Sequence, residues 1–177
     1  MSNKRFIINI LIVAVVIALL VGALYYLSRP AEDNGPGDTV VDEQRITVFS
    51  VSPADMLSAD VTNKYGSYAL YRAGGGWNLA GFEGMHLDVN MLDALTNSFS
   101  KVTSSQLIDE NPGNPGDYGL SAPTATLALG TSGGGRTFYI GNETPDGRGY
   151  YFSTDESSAV YLMDSYVADV VFLTARD

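Results

Sequence analysis

The chain has no cysteine and a single histidine, His86, among its 177 residues. Without thiols there are no disulfides, no thiolate metal ligands and no attachment point for a lipoprotein-type lipid. One imidazole is too few for a structural zinc or transition-metal site, which leaves oxygen donors and therefore Ca²⁺ as the only cation to weigh. Cations are scarce among the side chains too, with 10 Lys+Arg against 20 Asp+Glu. From Ala31 onward the count is 7 basic to 20 acidic, a net charge of −13. So few positive groups cannot form the basic face that a phosphate backbone requires, which argues against nucleic acid as a partner.

Apolar residues are abundant, at 45%, but unevenly placed. Phe6 to Leu27 is a 22-residue run whose only strongly polar member is Asn9. As a helix it would span roughly 33 Å, matching a hydrocarbon core of about 30 Å. A secretory signal would have a shorter apolar segment and a small-x-small cleavage site, whereas this run exits through Tyr25-Tyr26-Leu27-Ser28-Arg29-Pro30, with aromatics at the level of an interfacial belt. The reading preferred is an uncleaved transmembrane anchor over residues 6–27 in membrane lipid. Lys4 and Arg5 precede it, while Glu32 and Asp33 come after Arg29. The positive-inside rule then places residues 1–5 in the cytoplasm and the rest of the chain on the extracytoplasmic side of the cell membrane. Ala14, Ala18 and Gly22 recur every four residues, a small-residue stripe along which another membrane helix can approach. Ala and Gly are also simply common in membrane helices.

Residues 28–44 are polar and rich in Pro and Gly, too poor in apolar groups to order themselves, and read as a flexible linker. As a coil it reaches roughly 20–25 Å and holds the C-terminal domain close to the bilayer. Residues 45–177 read as an α+β domain. Ile46 to Val51 has strand composition; Pro53 to Leu57 suggests a helical turn; Val61 to Gly66 and Ser67 to Arg72 suggest two strands, which Gly74-Gly75-Gly76 turns back into Trp77-Asn78-Leu79. Asp88 is an N-cap candidate for a helix with Leu92, Leu95, Phe99 and Val102 on one face. Ser104 to Ile108 is a further strand candidate. After a loop of turn formers over Asp109 to Asp117, four strands are expected at Thr124 to Leu129, Arg136 to Ile140, Tyr150 to Ser153 and Ala159 to Met163. A last helix, capped by Asp164, carries Val167, Val170, Val171 and Leu173. The expectation is an antiparallel sheet in two hairpin blocks with a central and a C-terminal helix.

The motifs Gly76-Trp77-Asn78-Leu79, Tyr118-Gly119-Leu120-Ser121-Ala122-Pro123, Tyr139-Ile140-Gly141, Tyr150-Tyr151 and Val160-Tyr161-Leu162 accompany a helix ending at Phe99. Together with the N-terminal run they resemble the bacterial family called domain of unknown function 4340, over roughly residues 45 to 177. The most specific element is Gly119-Leu120-x-x-Pro123 followed one strand later by Ile140-Gly141. The resemblance implies a membrane-anchored component associated with ATP-binding-cassette transporters or gliding-motility-type systems, without assigned catalytic residues. Many members are longer and repeat the unit, of which one copy is present here. The residues themselves read as structural: Gly119 permits a positive φ, Leu120 is suited to plug the core between sheet and helix, and Pro123 imposes an extended approach to the next strand.

Chemistry-bearing patterns fare less well. Gly130-Thr131-Ser132-Gly133-Gly134 satisfies Gly-x-Ser-x-Gly, but a strand pattern comes next where a nucleophile elbow needs a helix, and His86 precedes Ser132. Gly74 to Gly76 and Gly133 to Gly135 lack the Gly-Lys-Ser/Thr of a phosphate loop and read as hairpin turns. Asp109, Glu110, Asn111, Asn114 and Asp117, or Asn142, Glu143 and Asp146, offer oxygens for Ca²⁺ without the spacing of a Ca²⁺ loop. No metal or cofactor is expected. Tyr65, Tyr68, Tyr71, Tyr150 and Tyr151 would form an aromatic platform for a sugar chain or a protein if they shared one solvent face. The favoured function is a non-enzymatic accessory subunit whose partner is a transporter permease or related membrane protein. The alternative is an anchored module that binds cell-envelope glycan or a small ligand.

Overall fold

A computed structural model describes residues 45–173. The anchor expected at 6–27, its Ala14, Ala18 and Gly22 stripe, residues 1–5 and the linker at 28–44 lie outside the described residues. Among the described residues no helix is long and apolar enough to cross a membrane.

In chain order the elements are β1 (Ile46–Ser50), β2 (Met56–Asn63), β3 (Gly66–Ala73), β4 (Gly76–Leu79), α1 (Val89–Ser100), β5 (Lys101–Ser104), β6 (Leu107–Asp109), β7 (Ala125–Thr131), β8 (Gly134–Glu143), β9 (Gly149–Thr154), β10 (Ser157–Asp164) and α2 (Ser165–Phe172). The class is α+β, with antiparallel pairing throughout. Eight strands form one sheet in the order β4-β3-β2-β7-β8-β9-β10-β6, and β1 pairs with β5 in a separate ribbon. The two hairpin blocks expected from the sequence are thus a single sheet. They are joined where β2 pairs with β7, from Met56 opposite Thr131 to Thr62 opposite Thr126.

Local chemistry accounts for most boundaries. Gly74 and Gly75 have φ of 63° and 85°, the two positive values that a type I′ turn needs, so β3 folds directly onto β4. Asp88 caps α1 by accepting a hydrogen bond from Asn90 N–H at 2.8 Å. Helical spacing assigns Val102 to that helix, but the chain becomes extended at Lys101 (φ −144°, ψ 95°), and Val102 is a buried residue of β5. The ladder with β1 overrides the helical spacing there, since Phe49 stands opposite Val102. Six strands come after α1, one more than expected, because the single strand expected around Ser104 divides into β5 and β6. Ser104 marks the division: its hydroxyl oxygen lies 2.8 Å from the carbonyl oxygens of both Gln106 and Leu162, with one proton to share between them, and accepts from the Gln106 and Leu162 N–H groups at 3.1 and 3.2 Å. The helical turn expected at Pro53 to Leu57 is confined to Pro53–Asp55, and Met56 already begins β2.

Asp164 occupies the N-cap position of α2 but makes no capping bond with its side chain. Its carboxylate is instead held by Arg45, 2.7 Å away. The far end of α2 is closed by Asn63, whose amide donates to the carbonyls of Val171 (2.8 Å) and Leu173 (2.9 Å).

Residues directly opposite in an antiparallel ladder point to one face. Val61, Leu127, Phe138 and Thr154 share such a row, as do Leu70, Ala59 and Leu129. That face is buried beneath the two helices and the ribbon. The other face carries Asp60, Thr62, Tyr71, Thr126 and Thr137, which are exposed or half-exposed. Phe138 is fully buried and meets Phe49 of the ribbon edge to face at 5.5 Å and Phe99 of α1 at 5.2 Å. Arg136, on the same strand face, lies 5.5 Å over the Phe49 ring and pairs with Glu156, holding the Glu156 carboxyl below its ordinary range.

Because Phe138 contacts both covering layers, Phe138→Ala is expected to lower unfolding stability by about 3–5 kcal/mol, read from the urea midpoint at unchanged slope.

Candidate functional site

Between β4 and α1 the chain makes two successive tight turns. Phe82 N–H bonds to Leu79 C=O (3.0 Å) and Met85 N–H to Phe82 C=O (3.1 Å), while Gly81 and Gly84 supply the positive φ values that both bends require. The turns carry Phe82 and Met85 outward, 62% and 47% exposed, and return Leu87 to the edge of the core. A groove of about 550 Å³ opens between this segment, the β3–β4 hairpin and α1. Its walls include Leu70, Leu79, Phe82, Met85, Met91 and Leu92, and His86 and Asp88 stand at its polar margin. Val89, at the first position of α1, is 65% exposed beside Asp88.

The acidic group nearest these turns is Glu83. Its carboxylate accepts from Gly81 N–H at 3.1 Å and from Tyr71 OH at 3.3 Å. Its own backbone N–H, followed by that of Gly81, holds the carboxyl below the ordinary range. Burial, and then the Glu83 charge, push the Tyr71 phenol up. The segment therefore presents a fixed anion beside an apolar depression. The sequence signal for the groove is large apolar residues, Phe82, Met85 and Leu87, placed within a glycine-punctuated turn region, a stretch to which sequence patterns alone assign no role.

The residues singled out from the sequence fall in two places. Trp77 lies on β4, half-buried, with the Arg72 guanidinium 5.2 Å over its ring. Gly119, Leu120, Ile140 and Gly141 come together elsewhere, across the loop that precedes β7. A Cβ on Gly141 would stand 2.1 Å from the Tyr118 carbonyl oxygen, and one on Gly119, where φ is +75°, would stand 2.7 Å from the Asn142 backbone nitrogen. The motif is thus a close approach of two backbones that side chains would prevent. Leu120 is half-buried over Gly141 rather than in the core between sheet and helix. Ile140 is fully buried, and Pro123 precedes the start of β7 at Ala125 by two residues. Strand β8 is four ladder steps from β4, about 19 Å, so Trp77 is remote from this pair of glycines.

The other candidates resolve into turn chemistry. Ser132 sits in the β7–β8 turn, its hydroxyl 3.2 Å from Asp55, and a strand comes after it. Asp109 accepts from Tyr118 OH at 2.9 Å, and Asp117 accepts from the Asn114 amide at 2.7 Å. The bond to Asp109, with burial second, raises the Tyr118 phenol. Among the described residues no group of three or more His, Asp or Glu side chains converges to hold a metal ion. The five tyrosines do not share a face. Tyr68 and Tyr71 are three residues apart on β3 and point to opposite sides, as do Tyr150 and Tyr151 on β9. Tyr150 packs on Phe172 at 5.1 Å and Tyr151 on Tyr118 at 5.2 Å.

An antiparallel sheet covered on one face by two helices, with an apolar groove at its β4 end, defines an α+β domain. The family model described as "Domain of unknown function (DUF4340)" matches residues 77–177, and the chain belongs to that family. The matched stretch begins at Trp77, so it is narrower than the 45 to 177 suggested by the motifs. No curated protein and no solved structure matches the chain.

Gly141→Ala is expected to cost about 1–3 kcal/mol in a denaturation experiment, whereas Gly133→Ala, where a Cβ meets nothing within 4 Å, should stay within about 0.5 kcal/mol of the parent. Asp146 is held at about 2, first by the Thr144 hydroxyl and then by Arg148, against an ordinary value of 3.8. A depressed carboxyl favours the folded turn above pH 3.8 and loses that contribution as the pH falls towards about 2. A carboxyl-carbon NMR titration should therefore place the Asp146 midpoint near the lower value, and Asp146→Asn should abolish this part of the acid sensitivity.

Proposed function

We propose that the chain is a non-enzymatic, single-pass membrane-anchored domain, displayed on the extracytoplasmic side, that serves as an interaction subunit of an ATP-binding-cassette-type transport or envelope system. The observation that carries this reading is the open groove of about 550 Å³ walled by Leu70, Leu79, Met91 and Leu92, with Phe82 and Met85 exposed at its mouth. Exposed apolar surface gathered around a depression gains free energy when another apolar surface covers it. The 22-residue apolar run from Phe6 to Leu27 supports the anchor, and the polar, Pro- and Gly-rich composition that comes after it supports a linker.

A photo-crosslinking residue placed at Phe82 or Met85 of the full chain, irradiated in the native membrane, tests the reading. An integral transport subunit is the expected product, and Met85→Asp with the crosslinker at Phe82 should reduce its yield about tenfold. Retention on isolated cell wall with no protein adduct would favour the glycan-binding alternative.

A further inference from the structure

Strand β4 ends the eight-stranded sheet, and alternation along its ladder with β3 fixes which of its backbone groups face away. Ala80 N–H bonds to Ala69 C=O at 2.9 Å, so the neighbouring opposed pairs Leu79–Leu70 and Trp77–Arg72 are non-hydrogen-bonded ones. Both backbone groups of Trp77 and the N–H of Leu79 therefore point outward from the sheet. The Leu79 carbonyl is already taken by Phe82. Proteins commonly blunt such edges with lysine, proline or a bulge. Gly76-Trp77-Asn78-Leu79 contains none of these, and its register with β3 is unbroken. At the opposite edge β6 has an interrupted register with β10 and ends in Asp109.

The two faces beside this edge differ in a way that specifies a ligand. Leu79 forms part of the groove wall, so side chains on the Leu79 face of an added strand would enter an apolar space. The opposite face, that of Tyr71 and Asn78, carries the Glu83 carboxylate bonded to Tyr71 OH. Side chains of an added strand on that side would meet a fixed anion. Resting on the interaction reading above, we propose that the β4 edge and the adjoining groove are one site, which adds an extended segment of a partner protein as a further strand. The segment is apolar at alternate positions, filling the groove, with lysine or arginine between them facing Glu83.

Trp77 is the only tryptophan in the chain, so its emission reports on this edge alone. The test uses the full-length protein in detergent micelles and the blocked peptide Val-Lys-Val-Lys-Val. The expected result is a saturable change in Trp77 emission together with slowed hydrogen exchange at the Trp77 and Leu79 amides. Peptide N-methylated on the residues that face β4 should bind about tenfold more weakly. Met85→Asp should weaken the parent peptide to a similar extent and Glu83→Gln about threefold, each with unchanged far-ultraviolet circular dichroism. Equal binding of the N-methylated peptide would overturn strand addition while leaving the groove as an apolar docking surface. A saturable response from neither peptide would overturn the site itself, and the crosslinking experiment decides the transport-subunit reading independently of both results.

Discussion

Phe138 is the point at which the layers of this domain meet. Its ring rises from the sheet between Phe49, on the ribbon, and Phe99, on α1, and both contacts are edge to face or close to it. A ring in that position fixes the distance between sheet and helix and the height of the ribbon above both. The buried rows on either side, Leu127 and Val61 towards β2 and Thr154 and Phe152 towards β9, are then brought under the same cover. The groove lies where that cover ends, at the β4 side of α1, and so owes its open shape to helix placement.

Much of this is legible in the sequence, and the illegible remainder has a common cause. The type I′ turn at Gly74-Gly75, the Asp88 cap and the strands from β7 to β10 are local features, decided by glycine conformations, an oxygen at the right offset and alternation of apolar residues. The joining of the two hairpin blocks through β2 and β7 is not local. Ala59 and Leu129 are partners separated by 70 positions, and nothing near either residue announces the other. The same holds for Val102, whose helical spacing is overruled by a strand some fifty residues earlier. Gly119 and Gly141 are legible as special positions, but their mutual approach requires the fold. The groove residues Phe82 and Met85 escape a sequence reading because periodicity, the main signal for secondary structure, has nothing to say about apolar residues in turns.

The family match begins at Trp77, yet the sheet cannot be understood from there onward. Strand β2 lies between β3 and β7 in the middle of the order, and Asn63 at its end satisfies the last carbonyls of α2. Removing β1 to β3 would leave β7 as a bare edge and α2 without that closure. The cooperative unit therefore extends back to Arg45, and the matched stretch is its more recognisable part.

Arg45 has a consequence of a mechanical kind. It directly precedes β1 of the ribbon, and its guanidinium pairs with Asp164, the last residue of β10 and the N-cap of α2. One ion pair thus spans the ribbon, the eight-stranded sheet and the start of the last helix, so a pull on Arg45 would load β10 as directly as β1.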